Sequence, residues 1–188
     1  GFVGRALCEQ LVASHGGGGV RIVVPTRRRE HAKHLLTLPT VEVVESRSYS
    51  EVELARLMAG CDGVVNLIAI LHGTAAEFER VHVGLPQRIV AACARTGVRR
   101  LVHVSALGVP DDPAAAPSHY LHSKAAGEQA LRVGALDLTV LRPSVMFGAH
   151  DRFLNLFAAL QAVFPVMPLA GGTAQFQPVW VEDVARAL

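Results

Sequence analysis

Tyr120 and Lys124, in the segment Tyr120-Leu121-His122-Ser123-Lys124, stand four residues apart and therefore share one face of a helix, about one turn from each other. Val104-Ser105 reads as the end of a neighbouring strand, and its hydroxyl would complete a proton-transfer set. The chemistry such a set performs is carbonyl reduction and its reverse. Tyr120 gives a proton to a carbonyl oxygen as hydride arrives, and Ser105 orients or stabilises that oxygen. A phenol with an ordinary pKa of about 10 yields little phenolate near neutrality. A nearby ammonium favours the anion, so Lys124 is expected both to assist the phenol and to relay its proton. The pattern is short, and its meaning depends on the elements around it.

Those elements alternate. Leu7, Leu11 and Val12 form a helical stripe that begins near Gly4 and stops before the Gly16–Gly19 tract, and Val20–Val24 then reads as a buried strand. Val41–Val44 is the next strand, and Ser50 with Glu53 forms a capping box for a helix ending near Gly60. Val64–Leu71 is a continuous apolar strand, as expected for a parallel sheet covered on both faces. Thr74 and Glu77 cap a long helix reaching Gly97, which Pro86 bends or delays. Leu101–Val104 and Leu138–Leu141 are further strands. Between them Ser118 caps the helix that carries Tyr120 and Lys124 and ends at Gly134, and Asp151 caps a helix through Leu160. Strand and helix in alternation predict an α/β fold with a mostly parallel, doubly wound sheet and right-handed crossovers. No second domain boundary is visible, so residues 1–188 read as one domain.

Gly1-Phe2-Val3-Gly4, leading straight into a helix, has the form of the later half of a glycine-rich phosphate turn. The backbone of such a turn approaches a pyrophosphate, and the helix N-terminus offers free N–H groups to the anion. The following strand ends in Thr26, Arg27, Arg28 and Arg29 rather than in the Asp or Glu that accepts from an NAD ribose. A guanidinium pairs with a 2′-phosphate, so NADP(H) is expected in preference to NAD(H), with Arg27 the leading contact. Such a fold also requires a strand ahead of the glycine turn. Nothing precedes Gly1, and Val181–Leu188 reads as the opening of a helix, so the chain is expected to be a piece of a longer protein.

Gly1-Phe-Val-Gly4, Tyr120-x-x-x-Lys124 and Leu141-Arg-Pro-Ser144 together resemble the extended or atypical short-chain dehydrogenase/reductases, which include the NAD-dependent epimerases and dehydratases. Thr26-Arg-Arg28, Asn66–Gly73, His103–Leu107, Arg142–Gly148 and Gln177–Asp183 are similar to the branch that holds the 39-kDa accessory subunit of respiratory complex I and its bacterial relatives. The resemblance covers essentially the whole chain. It implies a Rossmann domain with its first strand upstream of Gly1 and a substrate lobe that begins at about residue 145. It also implies that Leu67, Ile68, Ala69 and Ile70 run past the cofactor, that Lys124 bonds the nicotinamide ribose, and that Pro143, Ser144 and Val145 lie beside the nicotinamide. Two departures stand out. Glu45-Ser-Arg-Ser48 replaces the usual adenine-binding Asp, and Ser105-Ala106 replaces a pair of hydroxyl residues, leaving Ser105 alone. Two readings follow: a reductase or epimerase-like enzyme for a small carbonyl, hydroxyl or sugar-nucleotide-like compound, or a non-catalytic, nucleotide-stabilised accessory or assembly subunit.

Composition narrows the partners. With 51% apolar residues the chain is a globular domain, and a net charge of only +2 with scattered arginines excludes an extended nucleic-acid surface. Three widely spaced cysteines, Cys8, Cys61 and Cys93, argue for a reducing compartment and against a zinc cluster, and His119 and His122 lack a third ligand at useful spacing. The expected location is the cytoplasm, or the periphery of an inner membrane if the chain serves a membrane complex. Phe153–Ala170 is uncharged and apolar, but Asn155, Gln161, Pro165 and Pro168 argue for a buried helix and a pocket wall instead of a membrane span. A partner-facing surface is the alternative there.

Overall fold

The computed structural model describes residues 1–16, 18–151, 153–164, 173 and 175–188. Five parallel strands carry the architecture. Helix α1 (Phe2–Ser14) leads into β1 (Ile22–Thr26), a 3-10 segment (Arg29–Leu35) and β2 (Val41–Glu45). Helix α2 (Glu51–Met58) leads to β3 (Gly63–Asn66), and β4 (Arg100–Val104) and β5 (Asp137–Leu141) follow further along. The sheets run β1-β2 and β3-β4-β5, all parallel; among the described residues no ladder joins β1 to β3. The alternating, parallel α/β organisation read from the sequence is therefore present, with these five strands in two groups instead of one continuous sheet and with Met146–Phe147 pairing with Val179–Trp180 as a third.

The main core lies between α2, the helix α4 (Leu85–Thr96) and the β3-β4-β5 sheet. Leu54, Met58, Leu85, Ile89, Ala92, Cys93, Leu101 and Leu131 are buried together there. A second cluster of Cys8, Ala32, Leu35 and Val43 covers β1 and β2. Burial pushes the thiols of Cys8 and Cys93 up, so both behave as small apolar side chains.

Several boundaries differ from the sequence reading, each for a local reason. The strand expected over Val64–Leu71 stops at Asn66. Beyond it the Ile68 N–H donates to Asn66 Oδ1 (3.2 Å) and the Ile70 N–H to His82 Nε2 (3.1 Å), so side chains take the backbone bonds a ladder would need. The helix expected from Thr74 to Gly97 is three pieces: α3 (Ala75–Phe78), a π turn (Glu79–Gly84) and α4. The wider turn ends where Pro86, which has no N–H to give, enters the first turn of α4. Thr74 and Glu77 do form the full capping box, and Gly97 closes α4 with φ of 76°. At Ser50 only half the box forms. Its hydroxyl accepts from Glu53 N, but the Glu53 carboxylate accepts from Ser48 Oγ (2.7 Å) instead of reaching back.

Ser118 caps α5 (His119–Arg132) through its hydroxyl, as read. After β5 come β6 (Met146–Phe147), α6 (Leu154–Val163), β7 (Val179–Trp180) and α7 (Val181–Ala187). Asp151 Oδ1 accepts from the amides of Phe153, Leu154 and Asn155 at the head of α6. The buried helix expected in Phe153–Ala170 is corrected: α6 buries none of its residues, and Phe153, Leu156 and Phe157 are exposed. The pocket wall expected around Pro165 and Pro168 lies outside the described residues. Among the described residues no helix is long and apolar enough to cross a membrane.

Candidate functional site

The carboxyl ends of β4 and β5 are bonded to α5, the end of a parallel sheet at which such folds place their ligands. Lys124 is 2% exposed, and its ammonium donates to the Val104 carbonyl at the end of β4 (2.8 Å). An ammonium carries three donors, and this is the single hydrogen bond it makes among the described residues. Burial lowers its pKa to about 8, against the opposing influence of Glu128 one turn further along α5. Lys124 is thus a desolvated cation with, among the described residues, donors to spare.

Tyr120 lies on the same face, half-buried. Its ring meets His82 edge-on, with centroids 5.6 Å apart, and Phe78 in the same manner at 6.2 Å. Burial raises the phenol's pKa, and no neighbouring charge opposes that shift. The expectation that Lys124 favours the phenolate is not met here, because its ammonium is turned onto Val104 O. Tyr120 is held as the neutral phenol, the form that gives a proton away.

Two buried histidines frame the pair. His82 Nε2 accepts from the Ile70 N–H, so Nδ1 carries the proton and donates to Ser123 Oγ (2.8 Å), which in turn donates to the Tyr120 carbonyl (2.8 Å). His103 sits opposite Asn66 in the β3-β4 register; its Nδ1 accepts from Asn66 Nδ2 (3.1 Å) while Asn66 Oδ1 holds Ile68 N. Burial, then the charge of Lys124, lowers His82 to about 4 and His103 to about 3, so both are neutral. Behind them Glu128, 1% exposed, takes Arg142 on both carboxylate oxygens (Nε to Oε1 2.9 Å, Nη2 to Oε2 2.7 Å) and Arg132 on one (3.1 Å).

The other residues expected in the site lie on separate elements. Gly1 is the N-cap of α1, and the first turn, Phe2, Val3 and Gly4, presents amides that the helix cannot satisfy, with no acidic side chain to repel an anion. A Cβ on Gly4 would stand 3.5 Å from Leu67, so the glycine turn and the Leu67–Ile70 segment are in contact. Ile68 and Ala69 are exposed, while Leu67 and Ile70 are partly buried. Pro143, Ser144 and Val145 are partly buried beside β4: Pro143 O accepts from Leu107 N (2.9 Å) and Val145 O from Val179 N (3.0 Å). Thr26 Oγ1 donates to Arg28 O (3.0 Å), fixing the turn after β1; Arg27, Arg28 and Arg29 are exposed and, among the described residues, in no ion pair. Ser105 is buried beside Glu128, which its hydroxyl helps keep ionised, but it lacks a full hydrogen bond of its own. A separate concavity of about 500 Å³, lined by Gly18, Arg21, Thr40 and Glu42, lies at the opposite, amino end of β1 and β2.

Residues 1–151 match the NAD(P)H-binding family, four fifths of the chain. The chain belongs to that family. Within the NAD(P)H-binding family it stands near the complex I branch. It is 33% identical over its whole length to the mitochondrial NADH dehydrogenase 1 alpha subcomplex subunit 9 of Arabidopsis thaliana, covering 47% of that protein. The same comparison gives 32% for the rat subunit, of which it covers 50%, and 30% for a ceramide reductase of Caulobacter vibrioides, of which it covers 57%. The chain spans about half the length of these relatives. Its fold superposes on a dTDP-glucose 4,6-dehydratase of Streptomyces venezuelae with NAD bound, with a TM-score of 0.82 at 24% identity over 99% of this chain and 67% of that one. A UDP-glucuronic acid 4-epimerase of Bacillus cereus gives 0.81 at 18% identity, over 99% and 68%. The Rossmann-type fold and the extended dehydrogenase/reductase likeness read from the motifs both stand.

His82, Ser123 and Glu128, central to the geometry, carry no role in the sequence reading. Glu128 had a readable signal, four residues beyond Lys124 on the same helical face. His82 had none, since only the π turn aims it at Ser123 and Ile70.

Proposed function

We propose that this chain forms the dinucleotide site of an NADP(H)-using reductase- or epimerase-like protein that acts on a small carbonyl, hydroxyl or sugar-nucleotide-like compound. The observation that carries this reading is Lys124: a buried ammonium with, among the described residues, one acceptor for three donors, one helical turn from Tyr120. A bound nicotinamide would supply or accept hydride. The chain's residues would do the remainder: α1's first turn would hold the pyrophosphate, Lys124 the ribose hydroxyls, and Leu67–Ile70 and Pro143–Val145 would wall the ring from water. Tyr120, as neutral phenol, would give its proton to the substrate oxygen. Ser105, buried against Glu128, is better placed to steady that carboxylate than to touch substrate.

Exposed Arg27 and Arg28, free of carboxylate partners among the described residues, favour a 2′-phosphate. Calorimetry on the full-length protein is expected to show NADPH binding about tenfold more tightly than NADH, the worth of one charge-assisted hydrogen bond. Arg27→Ala with Arg28→Ala should abolish the difference. Equal or tighter NADH binding in the unaltered protein would sink the NADP(H) assignment.

A second prediction separates site from scaffold. Lys124→Met should weaken dinucleotide binding at least about tenfold. The folded pKa of about 8 lies below the unfolded value of 10.5, so at pH 7 the charged lysine destabilises the fold. Its removal should therefore stabilise the protein by about 2–3 kcal/mol in urea unfolding. A loss of stability together with binding would mean that Lys124 serves packing alone.

The relatives among the complex I subunits favour a second reading, a non-catalytic accessory or assembly subunit that retains a dinucleotide and sits at the periphery of an inner membrane. Native mass spectrometry of the full-length protein from its own cells decides between them. A free protein that turns over NADPH supports the enzyme, and a stable membrane complex retaining nucleotide without turnover supports the subunit.

A further inference from the structure

We propose that Glu128 is a positioning residue of the dinucleotide site, clamping the helix that carries Tyr120 and Lys124 to the Pro143–Val145 wall and supplying the negative charge that Lys124 faces. The inference rests on the assignment of Lys124 and that wall to the cofactor. Glu128 stands one turn after Lys124 on α5 and is 1% exposed. Arg142, which it grips with both oxygens, immediately precedes Pro143, and Arg142 Nη2 also reaches Asp111 Oδ1 (3.3 Å) in the loop after β4. That loop is laced to the same wall by Ser105 N to Leu141 O (2.7 Å) and Leu107 N to Pro143 O (2.9 Å). One carboxylate thus joins α5, the end of β5 and the loop between β4 and α5.

Holding these elements together does not by itself require charge. Buried ion pairs rarely out-stabilise apolar residues of the same volume, so Leu against Met would serve the packing as well. What apolar residues cannot supply is an anion near Lys124. The titratable groups around that ammonium are Tyr120 and Glu128 on α5, His82 on the π turn and His103 on β4. Both histidines are neutral and Tyr120 is a neutral phenol, so Glu128 is the negative member. Burial works against its carboxylate, but the hydrogen bonds from Arg142, with the nearby Ser105 hydroxyl and the charges of Arg142 and Arg132, outweigh it and hold Glu128 ionised. Without it, desolvation acts on Lys124 unopposed.

Residues 1–188 hold two lysines, exposed Lys33 and buried Lys124. Titrating isotope-labelled lysine by NMR in the cofactor-free full-length protein reports Lys124 once its signal is assigned by its loss in Lys124→Met, with Lys33 as an exposed reference. In Glu128→Gln the Lys124 midpoint should fall by about one pH unit, and NADPH affinity at pH 8 should drop about fivefold as the charged fraction shrinks. Glu128→Leu with Arg142→Met keeps the volume and removes the ion pair. It should recover the thermal stability lost in Glu128→Gln, yet show the same lowered Lys124 midpoint. A wild-type midpoint in either folded variant would overturn the proposal and leave Glu128 a packing residue. If the unaltered protein bound no dinucleotide while the midpoint still moved, the proposed function would fall and the control of Lys124 by Glu128 would stand.

Discussion

Gly127→Ala is expected to cost this protein at least about 3 kcal/mol of stability, although alanine is the better helix former by about 1 kcal/mol. The reason is the seat of α5. A Cβ at Gly127 would overlap the carbonyl oxygen of His82, and that neighbour is backbone, unable to rotate aside. The π turn and α5 touch main chain to main chain at this point, and one methyl forces them apart. Thermal unfolding should show the loss as a fall of about 10 °C for a chain of this length. The same displacement breaks the line from Ile70 through His82 and Ser123 to Tyr120, so dinucleotide affinity should fall with stability. An unchanged melting temperature would mean that α5 does not rest on the π turn as described.

Gly127 also marks the limit of what the residues alone convey. Caps and periodicity place the elements well: Ser118, Thr74, Gly97 and Asp151 each act where their types suggest. Tyr120 and Lys124 share a face because helical spacing is local. What depends on another element is not legible. Val64–Leu71 has a strand's composition, but it ends at Asn66 because His82 and Asn66 compete for its amides. The reading of Lys124 as the partner of the Tyr120 phenol follows from their spacing; its actual partner, Val104 O, comes from a different strand. A glycine inside a helix reads as a weakness until the carbonyl opposite it is known.

Acid should destabilise this fold between pH 6.5 and 5, well before its carboxylates respond, through His82 and His103. Both have folded pKa values, about 4 and about 3, below the unfolded 6.5. Above pH 6.5 each is neutral folded or unfolded, and contributes no slope. Below it the unfolded chain takes up protons that the native state refuses, so stability falls by about 1.4 kcal/mol per pH unit for each group. At pH 5 the two together cost about 4 kcal/mol, a large part of a typical total of about 5–15 kcal/mol. The carboxylates held low by their partners, Glu53, Glu77, Glu128 and Asp151, add their losses only below their own unfolded values, nearer pH 4. Urea midpoints at pH 7 and pH 5 measure the difference, and His82→Asn with His103→Gln should flatten it. An undiminished slope in that variant would place the acid sensitivity elsewhere. The native state refuses these protons because a protonated His82 has no lone pair for the Ile70 N–H, so taking one up would cost the Leu67–Ile70 wall its tether.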